Sequence, residues 1–172
     1  MMSPVGRVAA LVVVGLALAG CGASRSGGGK PVVYSAHSLD GSHAVSTAQL
    51  RGKPVLLTTW ATWCTACREE LPEVEQLYER DRPRGLQVVA VNLNGEGVSF
   101  RARQLIAGMG LTMPIWSDPD DRFSARFRAI GVPTSVLLDA SGHVVRIWQG
   151  GIDPGNREHV GVVEQTLAGR NA

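Results

Sequence analysis

Trp60-Ala61-Thr62-Trp63-Cys64-Thr65-Ala66-Cys67 is the stretch on which the reading of this chain turns. An apolar, β-branched run, Pro54 to Trp60, precedes it, and a helix-like segment, Arg68 to Arg80, follows it. A C-x-x-C pair at a strand-to-helix junction is placed for redox chemistry. The N–H groups of a helix's first turn lack intrahelical partners and favour a thiolate over a thiol. The thiolate is the species that attacks disulfides. With Cys64 at the helix start, Cys67 lies one turn along and can close back onto it. The alternatives for this spacing are a structural pair or half of a zinc site.

Outward towards the N-terminus, residues 1–20 read as a targeting segment. Arg7 supplies a positive charge, and Val8 to Ala19 is an apolar run of twelve residues, short for a bilayer span. It ends in Leu18-Ala19-Gly20-Cys21, which resembles a bacterial lipobox. That resemblance implies cleavage before Cys21, lipidation of Cys21, and an extracytoplasmic, membrane-anchored protein. An ordinary secretory signal is the alternative. Three Cys in an exported chain leave one over. Lipidation of Cys21 would account for it, with Cys64 and Cys67 a self-contained pair outside the reducing cytosol.

Residues 21–31 then form a Gly- and Ser-rich linker. As a flexible coil, ten such residues span roughly 17 Å, which would present the domain to a membrane-embedded redox partner at high effective concentration. Of 17 Lys and Arg, removal of Arg7 leaves 16 against 15 Asp and Glu, so the charge after Gly20 is near neutral. Nothing in that balance points to nucleic acid.

Residues 32–172 have the length of one domain. Val32 to Gly52, with a turn at Leu39-Asp40-Gly41-Ser42, reads as a hairpin preceding the core. Pro54–Trp60, Leu86–Asn92 and Pro133–Asp139 read as core strands covered on both faces. Met113–Ser117 is a short strand, and Val144–Gln149 pairs back as a hairpin across the turn at 140–143. Helices are expected from Cys64, with a kink at Pro72, and over Ser99–Met109, Asp121–Ala129 and Arg157–Ala168. Alternation of strand and helix implies parallel pairing with right-handed crossovers, and the late hairpin adds an antiparallel edge.

The order of elements, the W-A-T-W-C-x-x-C run, Glu70-Leu71-Pro72, Gly131-Val132-Pro133-Thr134 and Leu138-Asp139-Ala140-Ser141-Gly142 together resemble a thioredoxin-fold protein. The likeness is to the TlpA/ResA-like branch of membrane-anchored thiol-disulfide oxidoreductases and covers nearly all of residues 32–172. It implies an α/β fold, a three-layer α/β/α arrangement with a mixed central sheet. It implies Cys64 as nucleophile and Cys67 as resolving thiol, with no cofactor and no metal.

It further implies a cis peptide before Pro133, in a loop opposite the thiols where the Val132 peptide pairs with a bound substrate strand. Trp63 would form an exposed apolar rim there, and the partner surface would take in Val132, Pro133 and Thr134. Trp60, Trp116 and Trp148 read as packing residues.

Glu70 is the remaining candidate. With Cys67 at zero on a helical wheel of about 100° per residue, Leu71, Val74, Leu77 and Tyr78 fall between roughly −80° and +40°. Glu70 falls at roughly −60°, inside that apolar stripe, whereas Glu69, Glu73 and Glu79 lie outside it. One carboxylate of this helix is thus expected to face inward. Its burial would raise its pKa and let it exchange protons near neutral pH. A Glu six residues after the first Cys tunes the thiols in the resembling proteins; a stripe-edge Glu that snorkels to water is the alternative.

Two departures stand out. Thr58 takes the place of thioredoxin's buried Asp and cannot accept a proton near pH 7. Ala66 precedes the second Cys, where related proteins often carry Pro.

Four functions compete. The first is an extracytoplasmic dithiol reductant, fed by a membrane thiol-electron transporter and acting on exported proteins, among which the resemblance implies the C-x-x-C-H site of apocytochrome c as one candidate. The second is an oxidase or isomerase with the same chemistry at a higher potential. The third is a metal-binding or copper-delivery module, which would want a wider C-x-x-x-C pair and a distant His; His143 and His159 sit on a predicted turn and the terminal helix, and four ligands are not visible. The fourth is a thiol peroxidase, which needs Thr and Pro closely before the reactive Cys; Trp63 stands there instead.

Overall fold

Val55–Trp60, the strand that leads into the Cys pair, is buried along its whole length. It lies inside the sheet in the computed structural model, which describes residues 30–95 and 99–169. The targeting segment and Cys21 fall outside the described residues, as does most of the linker. Among the described residues the strands are β1 (Ser35–Ser38), β2 (Ala44–Ser46), β3 (Val55–Trp60), β4 (Gln87–Asn92), β5 (Ile115–Ser117), β6 (Thr134–Leu138) and β7 (Val144–Gln149). The helices are α1 (Thr65–Asp81), α2 (Ser99–Gly108), α3 (Arg122–Phe127) and α4 (Arg157–Leu167).

The strands form one mixed sheet in the order β2-β1-β5-β4-β3-β6-β7. The β3–β4 and β4–β5 pairs are parallel. Strands β6 and β7 continue the sheet antiparallel on the other side of β3. The N-terminal hairpin β1–β2 does more than precede the core. It extends the sheet, because β1 pairs antiparallel with β5, His37 opposite Ser117 and Ser38 opposite Trp116.

Alternation along the strands sorts the core into two faces. Leu56, Trp60, Val88, Ala90 and Leu137 point to one face, where they pack with Cys67, Leu71, Val74 and Leu77 of α1, Ala102 of α2 and Val163 of α4. Val55, Leu57, Val89, Val91, Val136 and Leu138 point to the other, against Phe123 and Phe127 of α3 and Tyr34. Helices therefore cover both faces, and the continuous apolar runs of β3, β4 and β6 follow from that.

Helix α1 runs without interruption from Thr65 to Asp81 with Pro72 inside it. Its wheel needs one correction. Besides Glu70, Glu75 also faces inward, at 7% exposure. Its carboxylate accepts the Thr112 hydroxyl at 2.5 Å and the Met113 N–H at 3.1 Å. The connection between α2 and β5 thus supplies donors to a side chain that the wheel places off the apolar stripe. None of the helices among the described residues is long and apolar enough to cross a membrane.

Candidate active site

Cys64 is the N-cap of α1, with extended φ −82° and ψ 107°. Its sulfur takes the capping role usually filled by a Ser or Asp oxygen, accepting the Cys67 N–H at 3.1 Å. The pair is closed as a disulfide, with Cα atoms 5.3 Å apart. Cys64 is the more accessible sulfur-bearing residue, at 6% exposure against 1% for Cys67. Negative charge developing on Cys64 Sγ would meet the free N–H groups of the first helical turn.

The loop that carries Trp63 into Cys64 is held from below. Asn94 accepts the Thr62 N–H through Oδ1 at 2.8 Å and donates from Nδ2 to Thr62 Oγ1 at 3.1 Å. Asn92 Nδ2 in turn donates to Asn94 Oδ1 at 2.9 Å. Both Asn side chains are buried, and neither was singled out from the sequence. The available signal was a pair of amides at the end of an otherwise apolar strand.

Facing the disulfide is the segment 130–134. The Val132–Pro133 peptide is cis, and the Val132 carbonyl oxygen lies 3.8 Å from Cys64 Sγ. Trp63, next to Cys64, and Ile130, at the start of this segment, are exposed at 69% and 87%. Ile130 was not foreseen; its exposure depends on the loop's path. Thr134 was expected on the partner-facing surface, but its side chain is fully buried. Its hydroxyl donates to the Gly131 carbonyl at 2.8 Å and its N–H to Thr59 Oγ1 at 2.8 Å. The Thr134 side chain therefore shapes the loop from within instead of lining its outer rim.

Glu70 lies one helical turn beyond Cys67, partly buried. Burial pushes its pKa up from the ordinary carboxylate range to about 7, with Glu73 and Asp153 adding to the rise. The Thr58 hydroxyl, which is bonded to it, and the nearby Ile152 N–H work the other way. Thr58 donates to Glu70 Oε1 at 3.2 Å. The residue in thioredoxin's Asp position is thus a hydroxyl donor to the carboxylate here. Gly151, at φ +89°, has its backbone against the same carboxylate, and a Cβ there would overlap Glu70 Oε2. Nothing in the sequence around Gly150-Gly151 points to this contact.

The two His residues considered as distant metal ligands lie elsewhere. His143 sits against Asp139 at 3.4 Å, and the His159 ring packs 5.3 Å from that of Trp148. Among the described residues, no group of three or more His, Cys, Asp or Glu side chains is gathered as a metal site.

The chain is similar to proteins of known kind. It is 32% identical over 108 residues to the thiol-disulfide oxidoreductase ResA of Oceanobacillus iheyensis, an alignment covering 63% of this chain and 55% of that one. Against ResA of Halalkalibacterium halodurans it is 28% identical over 125 residues, covering 73% of this chain and 69% of the relative. The crystal structure of a thiol:disulfide interchange protein of the thioredoxin family from Chlorobium tepidum superposes with a TM-score of 0.65 at 25% identity, covering 81% of this chain and 98% of the other. The chain thus spans little more than half the length of the first of these relatives. The fold is thioredoxin-like, and the AhpC/TSA family model matches residues 33–147. With two thirds of its length inside that match, the chain belongs to the AhpC/TSA family.

Proposed function

We propose that this chain is an extracytoplasmic thiol-disulfide oxidoreductase, anchored through lipidated Cys21, that reduces disulfides of exported proteins. The observation that carries the reading is the Cys64–Cys67 disulfide at the start of α1, with Cys64 Sγ as the helix cap and the Val132 carbonyl opposite.

In the working direction, Cys64 thiolate attacks a substrate S–S bond, forming a mixed disulfide and expelling one substrate thiolate. Cys67 loses its proton and attacks Cys64 Sγ. The second substrate thiol leaves, and the protein is left as the disulfide. Two electrons have passed to the substrate, and a membrane thiol-electron transporter would restore the dithiol. Glu70, one turn past Cys67, is the base available to take the Cys67 proton at near-neutral pH. The exposed Trp63 and the Val132–Pro133 loop would receive the substrate chain.

An apocytochrome c C-x-x-C-H site is one substrate of suitable chemistry. The ordering of Leu18-Ala19-Gly20-Cys21 supports the anchor. A thiol-peroxidase reading is disfavoured by Trp63 immediately before Cys64.

The test is exchange with a disulfide-containing protein. Cys64→Ser abolishes turnover, and Cys67→Ser accumulates a mixed disulfide that survives denaturation. Turnover by Cys64→Ser would sink the mechanism. The reduction potential then fixes the direction: a value near about −270 mV marks a reductant, and one near about −120 mV an oxidase. Cys21→Ala should release the protein from the membrane fraction.

A further inference from the structure

The hydrogen bonds behind Glu70 have a fixed polarity. A backbone amide can only donate. The Ile152 N–H donates to Ser135 Oγ at 3.1 Å. Ser135 has one hydroxyl proton, and it goes to Thr58 Oγ1 at 2.8 Å. Thr58 likewise has one, and it goes to Glu70 Oε1 at 3.2 Å. Thr58 and Ser135 are both buried, at 1% and 0% exposure, so water does not interrupt the chain. Oε1 therefore always faces a donor, whether Glu70 is ionised or neutral.

The other oxygen has a different setting. Oε2 is the atom nearest the position a Cβ would take on Gly151. Gly151 belongs to an open groove whose walls include Ala66, from between the two Cys, and Pro133, from the cis loop. The same groove carries Glu69, Glu73 and Asp153 and no Lys, Arg or His. His159 is engaged with Asp153, its Nδ1 accepting the Asp153 N–H at 3.0 Å. The acidic surroundings keep a proton on Glu70 to higher pH, and the hydroxyl chain decides which oxygen holds it.

We propose that Ile152, Ser135 and Thr58 form a positioning chain that pins Glu70 Oε1 and assigns the exchangeable proton to Oε2, at the groove between Ala66 and Pro133. Thr58 and Ser135 are then positioning residues that act through Glu70. The proton taken from Cys67 enters and leaves by the groove, not through the sheet. This last step rests on the proposed exchange reaction, whereas the orientation of Glu70 does not.

The experiment separates the two. The oxidised full-length protein is titrated by infrared spectroscopy, with the Glu70 carboxyl band identified by its loss in Glu70→Gln. In the disulfide form no thiol titrates, so the band reports Glu70 alone. Thr58→Val removes the donor to Oε1. Because that donor favours the charged form, the midpoint should rise by about three- to tenfold in proton affinity. The band of the protonated acid should also move to the position of a carbonyl without a hydrogen bond. Thr58→Ser, which keeps the hydroxyl, should restore both.

Should Thr58→Val not fold, because it strands the Ser135 hydroxyl, the double variant Thr58→Val/Ser135→Ala removes that hydroxyl, at the cost of the acceptor of the Ile152 N–H, and should shift the band in the same sense. An unchanged midpoint and band in these variants, or an equal change in Thr58→Ser, overturns the positioning chain. A shifted midpoint with an unshifted pH profile of thiol exchange upholds the chain and sinks the role of Glu70 in the reaction.

Discussion

At the residue scale the site turns on one carboxylate placed where it resists ionisation. The Glu70 pKa of about 7 has burial as its first cause, so the proton is available at the pH where thiols exchange. Glu70→Gln removes that acceptor without changing the shape of the side chain. The pH–rate profile of Cys64–Cys67 exchange should lose its inflection near neutrality, and the rate above it should fall. An unchanged profile would return Glu70 to a packing role.

Gly151 is the companion prediction. Its φ of +89° and its contact with Oε2 make Gly151→Ala doubly unfavourable, by about 1–3 kcal/mol in denaturant melts. In a Glu70→Ala background the overlap disappears and only the backbone strain remains, so the cost should shrink. Equal costs in both backgrounds would show that the overlap contributes nothing. The inward placement of Glu70 was legible because a helical wheel needs only its own helix. Gly151 was not, because its partner lies some eighty positions earlier in the chain and the contact exists only once β7 has paired with β6.

At the scale of elements, long-range donors decide which polar side chains face inward. Glu75 is satisfied by Thr112 and Met113 from the connection between α2 and β5. Glu75→Ala leaves the buried Met113 N–H without its acceptor, a loss of about 1–3 kcal/mol. It should lower the denaturation midpoint while leaving the reduction potential of the Cys pair unchanged; a shifted potential would mean that the α1 terminus is coupled to this contact.

The strands β3, β4 and β6 were readable from continuous apolar runs, since burial on both faces removes the polar alternation that would blur them. The hairpin β1–β2 was readable by its turn, but its place at the sheet edge was not. Pairing of β1 with β5 joins segments about eighty residues apart, and two paired positions leave little trace in composition. Glu75 was missed for the same reason that Asn92 and Asn94 were. A buried polar residue is recognised by its partner, and the partner is remote in sequence.

At the scale of the whole molecule, Glu70 ties folding to pH, and the sign follows from the direction of its shift. In the unfolded chain its carboxyl has the ordinary value of 4.5; in the folded protein it is pushed up to about 7. Below the lower value the group is protonated in both states and costs nothing. Between the two values the folded state binds more protons, so stability falls as pH rises. Above about 7 the full cost of a buried charge is present, on the order of 3 kcal/mol for a shift of this size.

Other carboxylates titrate as well, so the quantity to follow is the stability of oxidised Glu70→Gln minus that of the oxidised parent. Gln keeps the volume and has no charge to bury. The difference should be small at about pH 4, increase through neutrality and level off by about pH 8. A flat difference across that range would mean that Glu70 ionises as freely in the folded protein as in the unfolded one. In that case neither its burial nor its hydrogen-bonded chain controls a proton.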